Sequence, residues 1–367
     1  MESEEVSLDT EFLNDFPYTE KNNYNWNIIS VSKDSDNKRS VFCGENKQDK
    51  NDCVYVKQIK LKFSNEKNND NLQILKEIYF LVLLKNQQYF VQLNDILLDN
   101  DDNNNCKYLY LIFKGNNVSL NKLINYNVND YLSNTDLIKW IIYQITSALY
   151  ILHKNGIIHN DIKPSNILIN EIAGITICDF GSASYKDEDS YSYTRYYVPP
   201  EFLYDNYIRR DEKSDMWALG IIIIELFLKV NGYFKNINKD KSNEKQLKTI
   251  LSKFGIKENI QKEEIKKLLE DNSNTHKFKF SNEEIEKIND TDVIDLIQNL
   301  LVLNPKKRFS AEQVLKSKYL DCEMFKGYNS FDINPIEKPI NYSELNELIN
   351  KTNFVNKIIN LRSKLNI

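Results

Sequence analysis

His159-Asn160-Asp161-Ile162-Lys163-Pro164-Ser165-Asn166, followed by Asp179-Phe180-Gly181, is the stretch whose reading decides the fold. Asp161 and Asn166 stand five positions apart with Lys163 between them, and Asp179 lies 18 positions beyond Asp161. A lone Asp-Phe-Gly carries little weight, but both runs in this order and at this separation make coincidence remote. Upstream of the run the chain reads as strands and one helix. Ser40–Cys43, Val54–Leu61 and Tyr108–Phe113 are β-branched or aromatic between polar loops. Leu72–Leu84 spaces Leu72, Leu75, Tyr79, Val82 and Leu83 as a helix does. Nearer the run and past it, helix dominates. Asp136 is placed to cap a segment with Leu137, Trp140, Ile141, Ile145, Ala148, Leu149 and Leu152 on one face, and Met216–Phe227 is apolar nearly all round. The expectation is an α+β chain with a strand-rich lobe ahead of a helical one.

The composition agrees with that expectation. With 367 residues, 41% hydrophobic and 28% charged, one large two-lobed domain has enough apolar side chains for a sizeable core. A net charge of −5 gives no reason to expect nucleic acid or an anionic membrane surface as partner. Cys43, Cys53, Cys106, Cys178 and Cys322 lie far apart, without metal or redox spacing, and read as free thiols in a reducing compartment. The opening Met1-Glu2-Ser3-Glu4-Glu5 has no signal-peptide character, and apolar runs such as Ile221–Ile224 are too short to span a bilayer. Cytosol or nucleus is the expected location. Asn-rich stretches such as Asn100–Asn105 read as surface loops. Leu345, Leu348, Ile349, Phe354, Val355, Ile358 and Ile359 suggest a C-terminal helix packed on the body.

These runs resemble the eukaryotic protein kinases, over roughly residues 25–320. The resemblance implies a bilobal kinase fold: an N-terminal extension over 1–24, an N-lobe over 25–114, a C-lobe over 115–320 and a C-terminal extension with a helix over 321–367. It implies ATP and Mg2+ as cofactors and a protein as substrate. Asp161 would accept or orient the substrate hydroxyl proton, Lys163 would steady the γ-phosphate, and Asn166 and Asp179 would hold magnesium. In Val54-Tyr55-Val56-Lys57, Lys57 resembles the phosphate-binding lysine, with Glu77 its helix partner and Phe113 the gatekeeper entering the hinge. Pro199-Pro200-Glu201 stands where Ala-Pro-Glu is usual, and Arg308 resembles the late arginine that pairs with that glutamate.

Three features depart from the family. Gly44 is the only glycine before Gly115, so no Gly-x-Gly-x-x-Gly loop exists, and Ser32–Ser40, with Asp34 and Asp36, takes its place. Backbone amides then cannot approach phosphates closely, and weaker nucleotide binding is expected. Tyr55 replaces the small residue against which adenine packs. Asn160 replaces the arginine that binds an activation-segment phosphate. The segment itself is short and carries Asp187, Glu188 and Asp189, so activity independent of its phosphorylation is expected.

Thr194-Arg195-Tyr196-Tyr197-Val198-Pro199-Pro200-Glu201 resembles the CMGC group of cyclin-dependent, mitogen-activated and glycogen synthase kinases, as does Gln246-Leu247 through Phe254-Gly255. Lys163 points to Ser/Thr as acceptor. Ser190-Tyr191 and Phe278-Lys279-Phe280 resemble glycogen synthase kinase, but its three basic positions for a primed substrate hold Lys76, Asn160 and Ser184. The missing glycine loop resembles the monomeric cyclin-dependent-kinase-activating kinase of yeasts, which is the first-ranked subgroup. A monomer is expected, with a cyclin-dependent kinase as a candidate substrate. The competing reading, from Tyr55 and the absent glycines, is a pseudokinase scaffold.

Overall fold

The computed structural model describes residues 26–33, 39–46, 53–61, 69–100, 106–115, 117–126, 128–186, 188, 194–205, 211–235, 242–257, 259–273, 276–325 and 351–364. Its contacts divide it into two compact units: 1–71 with 92–116 and 346–367, and 72–91 with 117–345.

The first unit is built on a five-stranded antiparallel sheet. Its strands are β1 Trp26–Lys33, β2 Arg39–Asn46, β3 Cys53–Lys60, β4 Leu93–Asn100 and β5 Cys106–Lys114, in the order β1-β2-β3-β5-β4. Residues 34–38, at the heart of the segment that replaces the glycine loop, lie outside the described residues. Strand alternation sorts β3 into two faces. Val54 and Val56 pack with Tyr110 and Ile112 in one apolar cluster. Tyr55 and Lys57 share the opposite face, and the register sets Tyr55 against Phe113 and Lys57 against Leu111. The sequence reading missed β1 and β4. Half of β4, Leu-Asn-Asp-Ile-Leu-Leu-Asp-Asn, is Asn or Asp, which strands disfavour, and pairing with β5 overrides that preference.

The helix of residues 345–359 begins at Lys351 and ends at Ser363, so Leu345, Leu348 and Ile349 lie outside the described residues. It packs on β4. Ile358 and Leu361 are buried, while Ile359, expected inside, is 56% exposed. The inward spacing is three residues rather than one, as helical periodicity requires. Arg362 fastens this helix with a bidentate pair, donating from Nε (2.7 Å) and Nη2 (3.0 Å) to the buried Asp95.

The second unit is mostly helical. Most of α1, Asn69–Leu83, belongs to it, and from Ile74 to Leu83 the helix is buried save for Lys76. Then come β6 Val118–Ser119, α2 Leu120–Tyr126, α3 Thr135–Lys154, β7 Ile157–Ile158, β8 Ile167–Ile169, β9 Ile175–Ile177 and β10 Ser184–Tyr185. The N-cap of α3 is Asn134, not Asp136. Its Oδ1 accepts from the backbone N–H of Asp136 and Leu137, leaving Asp136 in the first turn, where its charge favours the positive helix end. The remaining helices are α4 Pro200–Tyr204, α5 Glu212–Leu228, α6 Asn243–Ser252, α7 Lys262–Glu270, α8 Asn282–Ile288, α9 Thr291–Leu300 and α10 Ala311–Leu315. Asp211 caps α5, which from Ser214 to Phe227 is buried throughout and forms the axis of this unit. No helix among the described residues is long and apolar enough to cross a membrane.

Candidate active site

The loop between β7 and β8 is fixed from below by Asp215 at the start of α5. This carboxylate is 1% exposed. It accepts from His153 Nε2 (2.9 Å), His159 N (2.9 Å) and Asn160 N (3.0 Å). Burial opposes its ionisation, but the His153 hydrogen bond and the neighbouring His159 outweigh burial and hold the carboxyl below its usual range. His159 Nε2 lies 3.1 Å from Cys178 O, and its Nδ1 accepts from Asp161 N at 3.3 Å. The catalytic loop is therefore tied at once to α5 and to the residue before Asp179.

Asp161, Lys163 and Asn166 come together as the sequence spacing predicts. Lys163 Nζ donates to Asp161 Oδ2 at 2.7 Å, and Asn166 Nδ2 donates to Asp161 O at 2.9 Å and Oδ2 at 3.1 Å. A fourth residue, which the sequence reading had not assigned a role, closes the group. Thr194 Oγ1 donates to Asp161 Oδ1 at 2.7 Å and accepts from Lys163 Nζ at 2.7 Å. Thr194 is 31 positions from Lys163, so only the folded chain reveals the triangle.

Asp179 has φ +64°, a left-handed conformation that a non-glycine residue holds only when its surroundings demand it. Phe180 behind it is fully buried, 4.9 Å from the His159 ring and 6.0 Å from Phe90. The Asp179 and Glu77 carboxylates converge on Gly181, where an added Cβ would sit 3.7 Å from Asp179 Oδ1 and 3.6 Å from Glu77 Oε2. Lys57 and Phe113 are placed within the first unit, at the registers given above.

Asn166 spends its N–H groups on Asp161, which leaves its amide carbonyl as the end able to ligate. That oxygen and the Asp179 carboxylate are hard donors of the kind magnesium accepts when phosphate and water complete its shell. A bound magnesium ion would neutralise charge on phosphate oxygens. Beside these donors, Thr194 and Asn166 fix the two Asp161 oxygens and Lys163 lies against the same carboxylate.

The described residues of the segment after Asp179 make the following contacts. Asn160, at φ +66°, donates from Nδ2 to Ser182 O (3.0 Å) and Ser184 Oγ (2.9 Å). Strand β10 pairs with β7, and Tyr185 OH meets Tyr79 OH at 3.2 Å. Lys76 of α1 lies 3.7 Å from Glu188, with both side chains largely buried. The three positions of the primed-substrate site are thus taken up inside the protein. Further on, Tyr197 OH donates to the buried Glu225 at 3.0 Å, and Glu225 also accepts from Tyr233 N at 2.8 Å. Arg308 grips Glu201 with two bonds of 2.7 and 2.6 Å, as the late arginine was expected to do; it also donates from Nε to Val302 O at 2.8 Å and lies over the Trp217 ring.

A strand-built unit carrying a lysine, and a helical unit presenting Asp, Lys, Asn and a second Asp on loops, hold the residue types that phosphoryl-transfer chemistry calls for. Residues 40–320 match the protein kinase domain, and the chain belongs to that family, whose members transfer phosphate from ATP with Mg2+. Among its relatives are mitogen-activated protein kinase sty1 of Schizosaccharomyces pombe, 34% identical over 193 residues, which cover 51% of this chain and 53% of the relative. Mitogen-activated protein kinase HOG1 of Ustilaginoidea virens is 30% identical over 296 residues, covering 76% and 75%. Mitogen-activated protein kinase 14 of Xenopus laevis is 32% identical over 215 residues, covering 57% and 56%. The chain thus spans about half the length of the first and third of these relatives and three quarters of the second. All three carry the name of a kinase class within the CMGC group.

Proposed function

We propose that this chain is an ATP- and Mg2+-dependent protein serine/threonine kinase of the CMGC group whose activation segment works without a phosphate of its own. The observation that carries the reading is Asn160. Where the family's arginine would wait for a phosphate, this amide already bonds Ser182 and Ser184. The Lys76–Glu188 pair supports it by placing a built-in carboxylate against α1. In the reaction, Asp161 takes the proton from the acceptor hydroxyl as the phosphoryl group moves, and Lys163 faces the developing charge. Asn160→Arg tests the reading. It removes both bonds to the segment, so unphosphorylated enzyme should lose most of its transfer rate. An unchanged rate in a labelled-ATP assay would refute the proposed role of Asn160.

The missing glycine loop and this mode of control favour the activation segment of a cyclin-dependent kinase as substrate. The likeness to mitogen-activated kinases favours substrates of that class instead. A side-by-side assay on both substrate sets decides between them. A primed phosphopeptide belongs in the same panel, and preference for it would count against both. The pseudokinase reading rests on Tyr55 and the absent glycines. It requires that the protein's role survive Asp161→Asn.

A further inference from the structure

The chain holds two Asn-Gly pairs, Asn155-Gly156 and Asn231-Gly232. Asparagine before glycine is open to attack by its own backbone, because no Cβ shields the glycine nitrogen from the side-chain carbonyl. The folded chain treats the two pairs differently. Asn155 closes α3, partly buried, with Nδ2 donating to Ile151 O at 2.8 Å. The Gly156 N–H donates to His153 O at 3.1 Å, and Gly156 O accepts from Lys186 N at 3.0 Å. A peptide carbonyl is too weak a base to take the amide proton, so the Gly156 nitrogen stays a donor. Asn231 is exposed in the loop that leaves α5, and Gly232 has φ +72°. There the Gly232 N–H donates to the carboxylate of Glu225, which also accepts from Tyr233 N and Tyr197 OH. A carboxylate is a base, and burial makes this one stronger than its surface counterparts. Asn231 Nδ2 meanwhile donates to Asn121 Oδ1 and, at 3.2 Å, to Asn125 Oδ1. Both acceptors lie on α2, which packs on Pro164–Asn166 of the catalytic loop.

We propose that Asn231 is a site of spontaneous deamidation, with Glu225 as the proton acceptor, and that the change cuts the tie between the end of α5 and α2. The Gly232 N–H passes its proton to Glu225 while the nitrogen bonds to Asn231 Cγ, closing a cyclic imide. The Cγ–Nδ2 bond breaks, and ammonia leaves carrying that proton. Water, the co-reactant, then opens either imide C–N bond and leaves aspartate or isoaspartate. Nothing is oxidised or reduced. Either product turns a carboxylate, which only accepts, toward the Asn121 and Asn125 carbonyls, so both side-chain bonds to α2 are lost.

The test holds the full-length protein in neutral buffer made with water carrying heavy oxygen and follows both pairs by mass spectrometry of proteolytic fragments. Asn231 should take up labelled oxygen, as a mixture of aspartate and isoaspartate, about tenfold or more faster than Asn155. In denaturant, where neither glycine N–H keeps its partner, the two pairs should convert at similar rates. Glu225→Gln keeps an acceptor oxygen but not the base, and should slow Asn231 by about tenfold or more while leaving Asn155 unchanged. Asn231→Asp, which carries the aspartate product from the start, should melt below the unsubstituted protein. Equal conversion of the two pairs in the folded protein, or an Asn231 that converts only in denaturant, would overturn the site. An Asn231 rate unmoved by Glu225→Gln would overturn the role of Glu225. The comparison of folded with denatured protein needs no variant, so it decides the matter if the glutamine variant does not fold. An unchanged melting temperature in Asn231→Asp would overturn the lost tie to α2.

Discussion

The catalytic loop and strand β3 meet the demands of one reaction in different ways. In the loop, the work falls to side-chain atoms, and every expected group is present: Asp161, Lys163, Asn166 and, past β9, Asp179. On the nucleotide side, the family relies partly on backbone amides exposed by glycines, and there this chain has none. Lys57 survives on β3, while Tyr55 shares its face of the sheet opposite Phe113. The difference is that the loop keeps every side chain the family uses, whereas the nucleotide side keeps Lys57 but not the glycines.

The sharpest way to break this comparison is at the loop. Asp161→Asn should lower transfer by about 10²–10⁴-fold while leaving the melting temperature near that of the unsubstituted protein. Retained transfer would mean that the proton goes elsewhere. Arg308→Ala supplies the contrast. It leaves Glu201 buried and unpaired, so stability should fall by about 3–5 kcal/mol in denaturant titration, far more than for any catalytic-loop variant.

Glu225 gives a pH signature of the turn that presents Thr194. Burial pushes its carboxyl up from 4.5 to about 7, against the opposing bonds from Tyr233 N, Tyr197 OH and Gly232 N. A folded-state value above the unfolded one means that the protonated form is favoured by folding. Its contribution is full below about 4.5 and is lost as pH rises through about 7. Thermal melts of the unsubstituted protein should therefore fall relative to Glu225→Gln between these values, by on the order of 3 kcal/mol. Parallel curves would contradict the assignment. The smallest effect is expected on β3. Tyr55→Ala should tighten ATP binding only a few-fold, by calorimetry, because the missing glycines remain missing. A much larger gain would make the tyrosine, rather than the loop, the principal obstacle.

Much of this was legible in the sequence, for identifiable reasons. Asp161, Asn166 and Asp179 are close in the chain and of distinctive type, and Glu201 and Arg308 sit in short motifs. Thr194 was quoted within a motif, but its bonds to Asp161 and Lys163 depend on how the segment returns to the loop. Asn160 was read as the loss of an arginine, and the folded chain adds what the sequence could not show, that its amide bonds Ser182 and Ser184. Strand β4 was hidden by its Asn and Asp content. The cap of α3 was misplaced by two residues because Asn134 and Asp136 are both good caps. Asp187, Asp189 and Tyr191 lie outside the described residues, so the account of the segment rests on Ser182, Ser184, Tyr185 and Glu188.

The central claim is a segment that is active as translated. The most direct measurement compares magnesium-dependent phosphate transfer to a protein substrate before and after exhaustive phosphatase treatment, with intact mass confirming the unphosphorylated state and Asp161→Asn as background. An unchanged rate well above background is the predicted result. A fall to the Asp161→Asn level, restored only when the segment is phosphorylated, would contradict it.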